Sequence, residues 1–162
     1  LINLLTDLPM ISIATDNVDA RELKRPQAYD ARGIVLVATV LGLVSTAFDF
    51  LFFSVFSHIR AGALQTNWFL GAVLTELVFL FSIRTRLPFF KATRPSAALV
   101  GASIVSAVAA VAAVATPFGQ RVFHFVAPRP RELLLIAVIV IVYFLVSERV
   151  KLLYYRGGKR GI

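Results

Sequence analysis

The sequence contains no cysteine, which excludes disulfide bonds and thiolate metal sites. Its only two histidines, His58 and His124, fall in separate connecting segments, where we expect both to be solvated. It has no glycine-rich phosphate-binding motif and no serine, histidine and aspartate set typical of a hydrolase. We therefore predict no catalytic residue, no cofactor-binding residue and no means of binding ATP within these 162 residues.

Acidic residues are also scarce. Nine acidic residues stand against 17 basic ones, which gives a net charge of +8. In a soluble protein such a balance would indicate nucleic-acid binding, but here the basic residues lie between long apolar runs, as they do in membrane proteins. The chain is 58% hydrophobic, with a mean hydropathy of +0.79. We predict an all-α membrane protein whose partner is the lipid bilayer and not nucleic acid.

Five apolar segments divide what we predict to be a single membrane domain, residues 1–162. The first, residues 1–15, is shorter than the roughly 20 residues of a full span, so we expect a partial helix and a longer polypeptide upstream. The four predicted full spans are residues 33–57, 67–83, 95–116 and 132–153. The other predicted segments are a connection at 16–32, a proline-containing loop at 117–131 and a basic tail at 154–162. Thr15 and Asp16, with Asp19 and Glu22 downstream, resemble a helix start and predict a short surface helix in the first of these.

The basic residues are unevenly distributed between the predicted connections. Thirteen of the 17 lie in three segments, residues 16–32, residues 84–94 and the C-terminal end. The positive-inside rule places these segments in the cytoplasm, with Arg84 and Arg86 as anchors at the inner interface. Trp68 then lies at the outer interface, and Tyr154 and Tyr155 lie at the inner one. We therefore predict a multi-pass protein of the cytoplasmic membrane, bacterial in origin.

Three acidic residues, Asp7, Asp49 and Glu76, fall within apolar segments. A charge at the centre of a membrane helix costs roughly 2.5–3.5 kcal/mol, so such residues commonly have a function. Glu76 lies in the middle of its span, and from this position we predict that it handles a cation or a proton. The alternative is a structural carboxyl that is protonated. For Asp49, a hydrogen bond to a neighbouring helix and a functional role are equally open.

The most informative local pattern is the run from Asn3 to Pro9. On a helix Asn3 and Asp7 share one face, with Thr6 beside them. Pro9 lacks a backbone donor and opposes continuation of the helix. Amide, hydroxyl and carboxylate oxygens near unpaired carbonyls suit a hard cation. Asn and Asp near a chain start also cap helices, but the surrounding membrane spans favour the cation site.

This pattern resembles the sixth transmembrane helix of the P-type ATPases, which carries N-x-x-T-D followed by proline. The resemblance implies that Asn3 and Asp7 ligate the transported cation, with Thr6 beside them. The family often has glycine after the aspartate, where this chain has Leu8. Glu76 falls where several of these pumps place an acid or an amide in the eighth helix, which implies a further metal ligand.

Further motifs are similar to the bacterial magnesium-transporting branch of that family. These motifs are D-N-V-D at 16–19, R-P-Q at 25–27, F-D at 48–49 and I-R-T-R-L-P-F at 83–89. The resemblance covers nearly the whole chain and implies helices six to ten of a pump for Mg²⁺, a translocase driven by ATP. It places the ATP with its Mg²⁺, the phosphorylation site and the other cytoplasmic domains upstream in the same polypeptide. A P-type pump for Ca²⁺ or another cation, and a free-standing non-enzymatic membrane protein for binding or assembly, are the alternatives.

Overall fold

The computed structural model describes residues 1–19, 31–59 and 62–157, and within these ranges the chain forms helices and no strand. The α-helices are α1 (Ile2–Ser12), α2 (Ala31–Phe56), α3 (Ala63–Ile83), α4 (Ala97–Ala115), α5 (Pro117–Phe123) and α6 (Pro130–Gly157). Helices α2, α3, α4 and α6 are long and apolar enough to cross a membrane, and α1 is a shorter apolar helix. The predicted fold class, four full spans and one partial N-terminal helix, is confirmed.

Two of the long helices extend beyond the predicted spans. Helix α3 begins at Ala63, before predicted residue 67, because Gly62 adopts a φ of 77° at the helix start, a conformation that glycine tolerates. Helix α6 continues past residue 153, where the Tyr154 hydroxyl donates a 2.8 Å hydrogen bond to the Gly33 carbonyl of α2. Both extensions depend on conformation or contacts that hydropathy does not reveal.

Two proline-based expectations were wrong. Helix α1 passes through Pro9, which is buried, and continues as a 3₁₀ turn at Ile13–Thr15. The proline removes one hydrogen-bond donor from the helix without ending it. The predicted loop at 117–131 contains α5, because Pro117 occupies a first-turn position and the Thr116 hydroxyl accepts a hydrogen bond from the Gly119 N–H.

The predicted surface helix within 16–32 lies largely outside the described residues. The part that is described, residues 16–19, is not helical. Its two aspartates bond to a distant loop, as shown below, instead of capping a helix that follows them.

Helix α3 lies at the centre of the bundle and contacts α1, α2, α4 and α6. Aromatic and aliphatic side chains from α2, α3, α4 and α6 form one core with it; among its members are Phe52, Phe56, Leu70, Val73, Ala110 and Ile136. Helix α1 packs mainly on α4. Along α4, small residues recur every four positions; of these, Ser106 and Ala110 are buried and Ala98 is exposed. The core therefore holds α3 tightly and leaves the outer helices half-packed.

Helix α2 is the least buried of the long helices. Only Leu41, Phe52 and Phe56 are buried among its 26 residues. A cavity of about 350 Å³ separates part of α2 from α3 and α6; its lining is mostly apolar and includes Ala38, Leu41, Gly42, Phe79, Ile83 and Tyr155. Helix α2 thus buries few of its own side chains, although hydrogen bonds from Tyr154 to Gly33 and between Tyr143 and Ser45 join it to α6.

The connections alternate between the two ends of the bundle. At one end, residues 16–19 bond to residues 84–96, and Lys151 bonds to the Leu87 carbonyl. At the other end, the Val126 N–H donates to the Thr66 hydroxyl, and the Gln65 amide reaches the Phe123 carbonyl. Residues 16–19 and 84–94, which belong to segments that we predicted to share the cytoplasmic side, lie at one end, while the sidedness itself stays a prediction.

A direct test of the packing is available at Gly71 of α3. A Cβ atom at this position would lie 2.3 Å from a ring carbon of Phe52, whose side chain is buried. We expect Gly71→Ala to lower the free energy of unfolding by about 1–3 kcal/mol, the usual cost of overpacking. The matched control is Gly101→Ala in α4, where nothing lies within 4 Å of the new Cβ. Thermal unfolding in detergent should separate the two variants; equal melting temperatures would contradict the contact.

Candidate functional site

The exposed face of α1 carries two of the predicted cation ligands. Asn3 and Asp7 are both exposed and lie one turn apart. Thr6 is buried on another side of the helix, and its hydroxyl donates to the Ile2 carbonyl at 3.3 Å. Asn3 and Asp7 can therefore act together, whereas the Thr6 hydrogen is engaged within α1 and only its oxygen lone pairs are available.

Pro9 leaves one backbone carbonyl of α1 without a helical partner, on the buried side of the helix and not on the exposed side that carries Asn3 and Asp7. Because proline has no N–H, the Leu5 carbonyl has no helical donor four residues along the chain. Carboxylate, amide and carbonyl oxygens are the ligands that Mg²⁺ and Ca²⁺ prefer. Within the described ranges, no group of three or more His, Cys, Asp or Glu residues is placed to hold a metal ion. The face of α1 offers part of a coordination shell, which water or additional groups would have to complete.

Glu76 lies elsewhere, in a cavity of about 280 Å³ between α2, α3 and α6. Asp49 lines the same cavity, so the structure brings these two membrane acids together. The other lining residues are Ser45, Phe48, Phe52, Ala72, Thr75, Phe79 and Tyr143. The Ser45 and Tyr143 hydroxyls are joined by a 2.8 Å hydrogen bond. Both alternatives for Asp49, a hydrogen bond to a neighbouring helix and a functional role, stay predictions.

At the end of the bundle that holds residues 16–19, two aspartates, an arginine and a threonine have largely buried side chains that are joined by hydrogen bonds. The Arg84 guanidinium donates to Asp16 Oδ2 at 2.5 Å, and the Ser96 N–H donates to Asp16 Oδ1 at 2.7 Å. The Thr85 hydroxyl donates to Asp19 Oδ2 at 2.5 Å, and the Thr93 N–H donates to Asp19 Oδ1 at 2.7 Å. We call this set the clasp; its members are Asp16, Asp19, Arg84, Thr85, Thr93 and Ser96.

The loop that contributes to the clasp is held from its other side by α6. Glu148 Oε1 accepts from the Phe89 N–H at 2.7 Å, and Oε2 accepts from the Ser82 hydroxyl at 2.6 Å. Lys151 pairs with Glu148 at 2.7 Å and also donates to the Ser82 and Leu87 carbonyls. The segment from Ser82 to Ser96 is thus attached both to the exit of α1 and to α6.

The environment of the clasp stabilises the ionised form of both aspartates. Burial alone would raise the pKa of Asp16, but hydrogen bonds from the Ser96 and Asn17 N–H groups and the Arg84 guanidinium lower it below 3.8. The Thr85 hydroxyl is the largest cause that lowers the pKa of Asp19, with Thr93 adding to it against the effect of burial. Both carboxylates therefore remain charged at neutral pH.

Sequence reasoning missed the clasp and the contacts of α6. It interpreted Asp16 and Asp19 as a helix start and Arg84 as an interfacial anchor, whereas the Arg84 side chain is only 4% exposed. Glu148 and Lys151 were not singled out, although an acid and a base three residues apart in a long apolar helix were a usable signal. The pairing of Asp16 with Arg84, by contrast, has no local signature, because 68 residues separate them.

Comparison with known proteins gives a consistent family. Residues 1–153 match the family model described as cation transporting ATPase, C-terminus. The chain is 33% identical over 117 residues, 68% of its length, to a Methanocaldococcus jannaschii protein named provisionally as a cation-transporting ATPase. It is 31% identical over 97 residues, 55% of its length, to the magnesium-transporting ATPase, P-type 1, of Salmonella typhimurium. The corresponding Escherichia coli protein is 28% identical over 124 residues, 72% of the chain. The chain spans 11% to 14% of the length of these relatives.

The clasp leads to a test by pH. A carboxyl whose pKa is lowered by folding stabilises the fold above its unfolded pKa, near 3.9, and loses that contribution as the pH falls through the lower folded value. Removing one partner of a buried ion pair costs about 3–5 kcal/mol, so we expect Asp16→Ala to destabilise the protein by that order at pH 7. The difference from the parent should shrink between pH 4 and pH 2. Urea unfolding in detergent at several pH values measures it.

The control for this experiment is Asp7→Ala, which removes an exposed acid of α1. It should change the unfolding free energy little and show no comparable pH trend. A constant difference between the Asp16 variant and the parent down to pH 2 would contradict the ionised clasp.

Proposed function

The chain belongs to the C-terminal region of the cation-transporting ATPases, and from this premise we propose that it forms part of the membrane path of an ATP-driven pump that transports Mg²⁺. It is a multi-pass membrane protein with four helices able to cross the bilayer. We place ATP binding and phosphorylation in the part of the pump that its relatives have and this chain does not span.

The observation that carries the proposal is the pairing of Asn3 and Asp7 on the exposed face of α1. An ionisable residue in an apolar helix is costly, and here its carboxylate is accompanied by an amide one turn away. We propose Asn3 and Asp7 as ligands of the transported cation. Thr6 is an accessory ligand through its hydroxyl oxygen. The remaining ligands would be water and groups from the upstream helices of the same polypeptide.

Mg²⁺ suits such an incomplete ligand set. It is small, prefers octahedral coordination and gives up its water reluctantly, so one carboxylate with a few neutral oxygens can hold a partly hydrated ion. Two of the relatives are named as magnesium-transporting ATPases. Ca²⁺ takes six to eight oxygen ligands and is the alternative cargo, which would demand more groups from the rest of the pump.

Glu76 has a separate place in the proposal. It faces a cavity with Asp49, and the described residues that line this cavity belong to α2, α3 and α6. Two carboxylates facing one cavity favour the uptake of a positive charge, as either a proton or a cation. We propose that Glu76 handles this charge apart from the Asn3 and Asp7 pair. A protonated structural carboxyl is the alternative for Glu76.

The first prediction concerns Asp7. In the native polypeptide that carries this chain, Asp7→Asn should abolish cation-stimulated ATP hydrolysis, because a neutral amide cannot balance the charge of the cation. The exchange preserves shape at an exposed position, so the melting temperature should stay unchanged. The control is Thr15→Val, a polar-to-apolar change at an exposed position beyond the cation face. Hydrolysis that persists in the Asp7 variant would contradict the assignment.

The second prediction concerns the cargo. Uptake of Mg²⁺ into vesicles containing the native polypeptide should resist a tenfold excess of Ca²⁺ and should require ATP. Efficient competition by Ca²⁺ would favour the calcium alternative. The intact mass of the native polypeptide tests the remaining alternative, because a chain of this size alone would have no ATP-hydrolysing domain and would favour a binding or assembly protein.

A further inference from the structure

Helix α1 is held weakly by apolar packing within this chain. Of its residues only Thr6 and Pro9 are buried, while Leu4, Leu8 and Ile11 are each at least 60% exposed. Packing on α4 and α3 therefore covers one side of the helix and leaves its other side, with Asn3 and Asp7, exposed.

Polar contacts are concentrated where the helix leaves the bundle. The chain is helical from Ile2 and continues as the 3₁₀ turn at Ile13–Thr15, so Asp16 follows it directly. All four carboxylate oxygens of Asp16 and Asp19 accept hydrogen bonds from the segment 84–96. The Asn17 amide adds a 3.0 Å bond to the Arg94 carbonyl in the same segment. A displacement of the clasp would thus be transmitted along α1 to its ligand face.

We propose that Asp16 and Asp19 are positioning residues for the cation ligands Asn3 and Asp7. The clasp sets where α1 leaves the bundle, because it joins the residues that follow α1 to the segment 84–96. This inference rests on the proposed function, because it assumes that the α1 face binds the transported cation. It predicts that loosening the clasp weakens cation binding beyond any effect of lost stability.

Two buried hydroxyls provide a matched pair of variants. Thr85 donates to Asp19 at 2.5 Å, and Ser82 donates to Glu148 at 2.6 Å. The two residues are 4% and 1% exposed, and they lie three positions apart at the same end of the bundle. Thr85→Val loosens the bond to the exit of α1, whereas Ser82→Ala loosens the bond to α6 and leaves the clasp intact.

The experiment measures ATP hydrolysis by the native polypeptide against Mg²⁺ concentration, at a fixed concentration of magnesium-bound ATP. We expect Thr85→Val to raise the half-saturating free Mg²⁺ concentration about fivefold or more, the lower end of usual coupling between sites, with little change in kcat. Ser82→Ala should leave that concentration unchanged although its melting temperature falls comparably. If Thr85→Val fails to fold, Asp19→Asn against Glu148→Gln provides a second matched pair with the same expectation.

The positioning role would be overturned if the two variants of a pair had the same half-saturating Mg²⁺ concentration, whether unchanged or raised. A purely structural contact would affect the two variants alike. Failure of the proposed function is recognised separately, by a parent protein that shows no cation-stimulated hydrolysis or by an Asp7→Asn variant that retains it. Either of these results would overturn both proposals, whereas the matched pairs address the clasp alone.

Discussion

The burial of two aspartates against an arginine at one end of the bundle is the constraint on which the rest of the arrangement depends. A buried charge is tolerated only when it is paired and fully hydrogen-bonded. Asp16 meets this condition through Arg84 and Ser96, and Arg84 in turn also donates to the Thr93 carbonyl. These bonds specify which segments meet, whereas apolar packing between membrane helices is much less selective. At this end of the bundle the hydrogen bonds therefore define which segments meet, although much of the lateral surface of the bundle is apolar and exposed.

Hydropathy and charge were sufficient to predict the four long helices and their alternation between the two ends, since both follow from composition along the chain. The ends of the helices were harder to predict from the sequence. The start of α3 depends on Gly62, and the extension of α6 is accompanied by a contact between Tyr154 and α2. Asp16 was misinterpreted for a related reason. An aspartate after a threonine is a reasonable cap locally, and only the folded chain reveals its partner 68 residues away.

The candidate site was predicted in part. The four-residue spacing of Asn3 and Asp7 suffices to place them on one face, and the helix does expose both. Spacing could not show that Thr6 is buried, because that depends on where α3 and α4 pack. Nor could it show that Glu76 faces a cavity with Asp49. In the sequence all three acids of the apolar segments resemble one another, whereas the structure places Asp7 on the exposed face of α1 and the other two at one cavity.

The slight burial of α2 has a consequence for how the protein responds to its bilayer. At about 1.5 Å per residue, its 26 residues extend about 39 Å, whereas the 19 residues of α4 extend about 28 Å, close to the thickness of a hydrocarbon core. A hydrophobic helix longer than the core can adapt by tilting, and the cavity beside α2 leaves room for this movement. Membrane thickness would therefore act first on the tilt of α2, and through Asp49 it would change the width of the cavity that Glu76 shares.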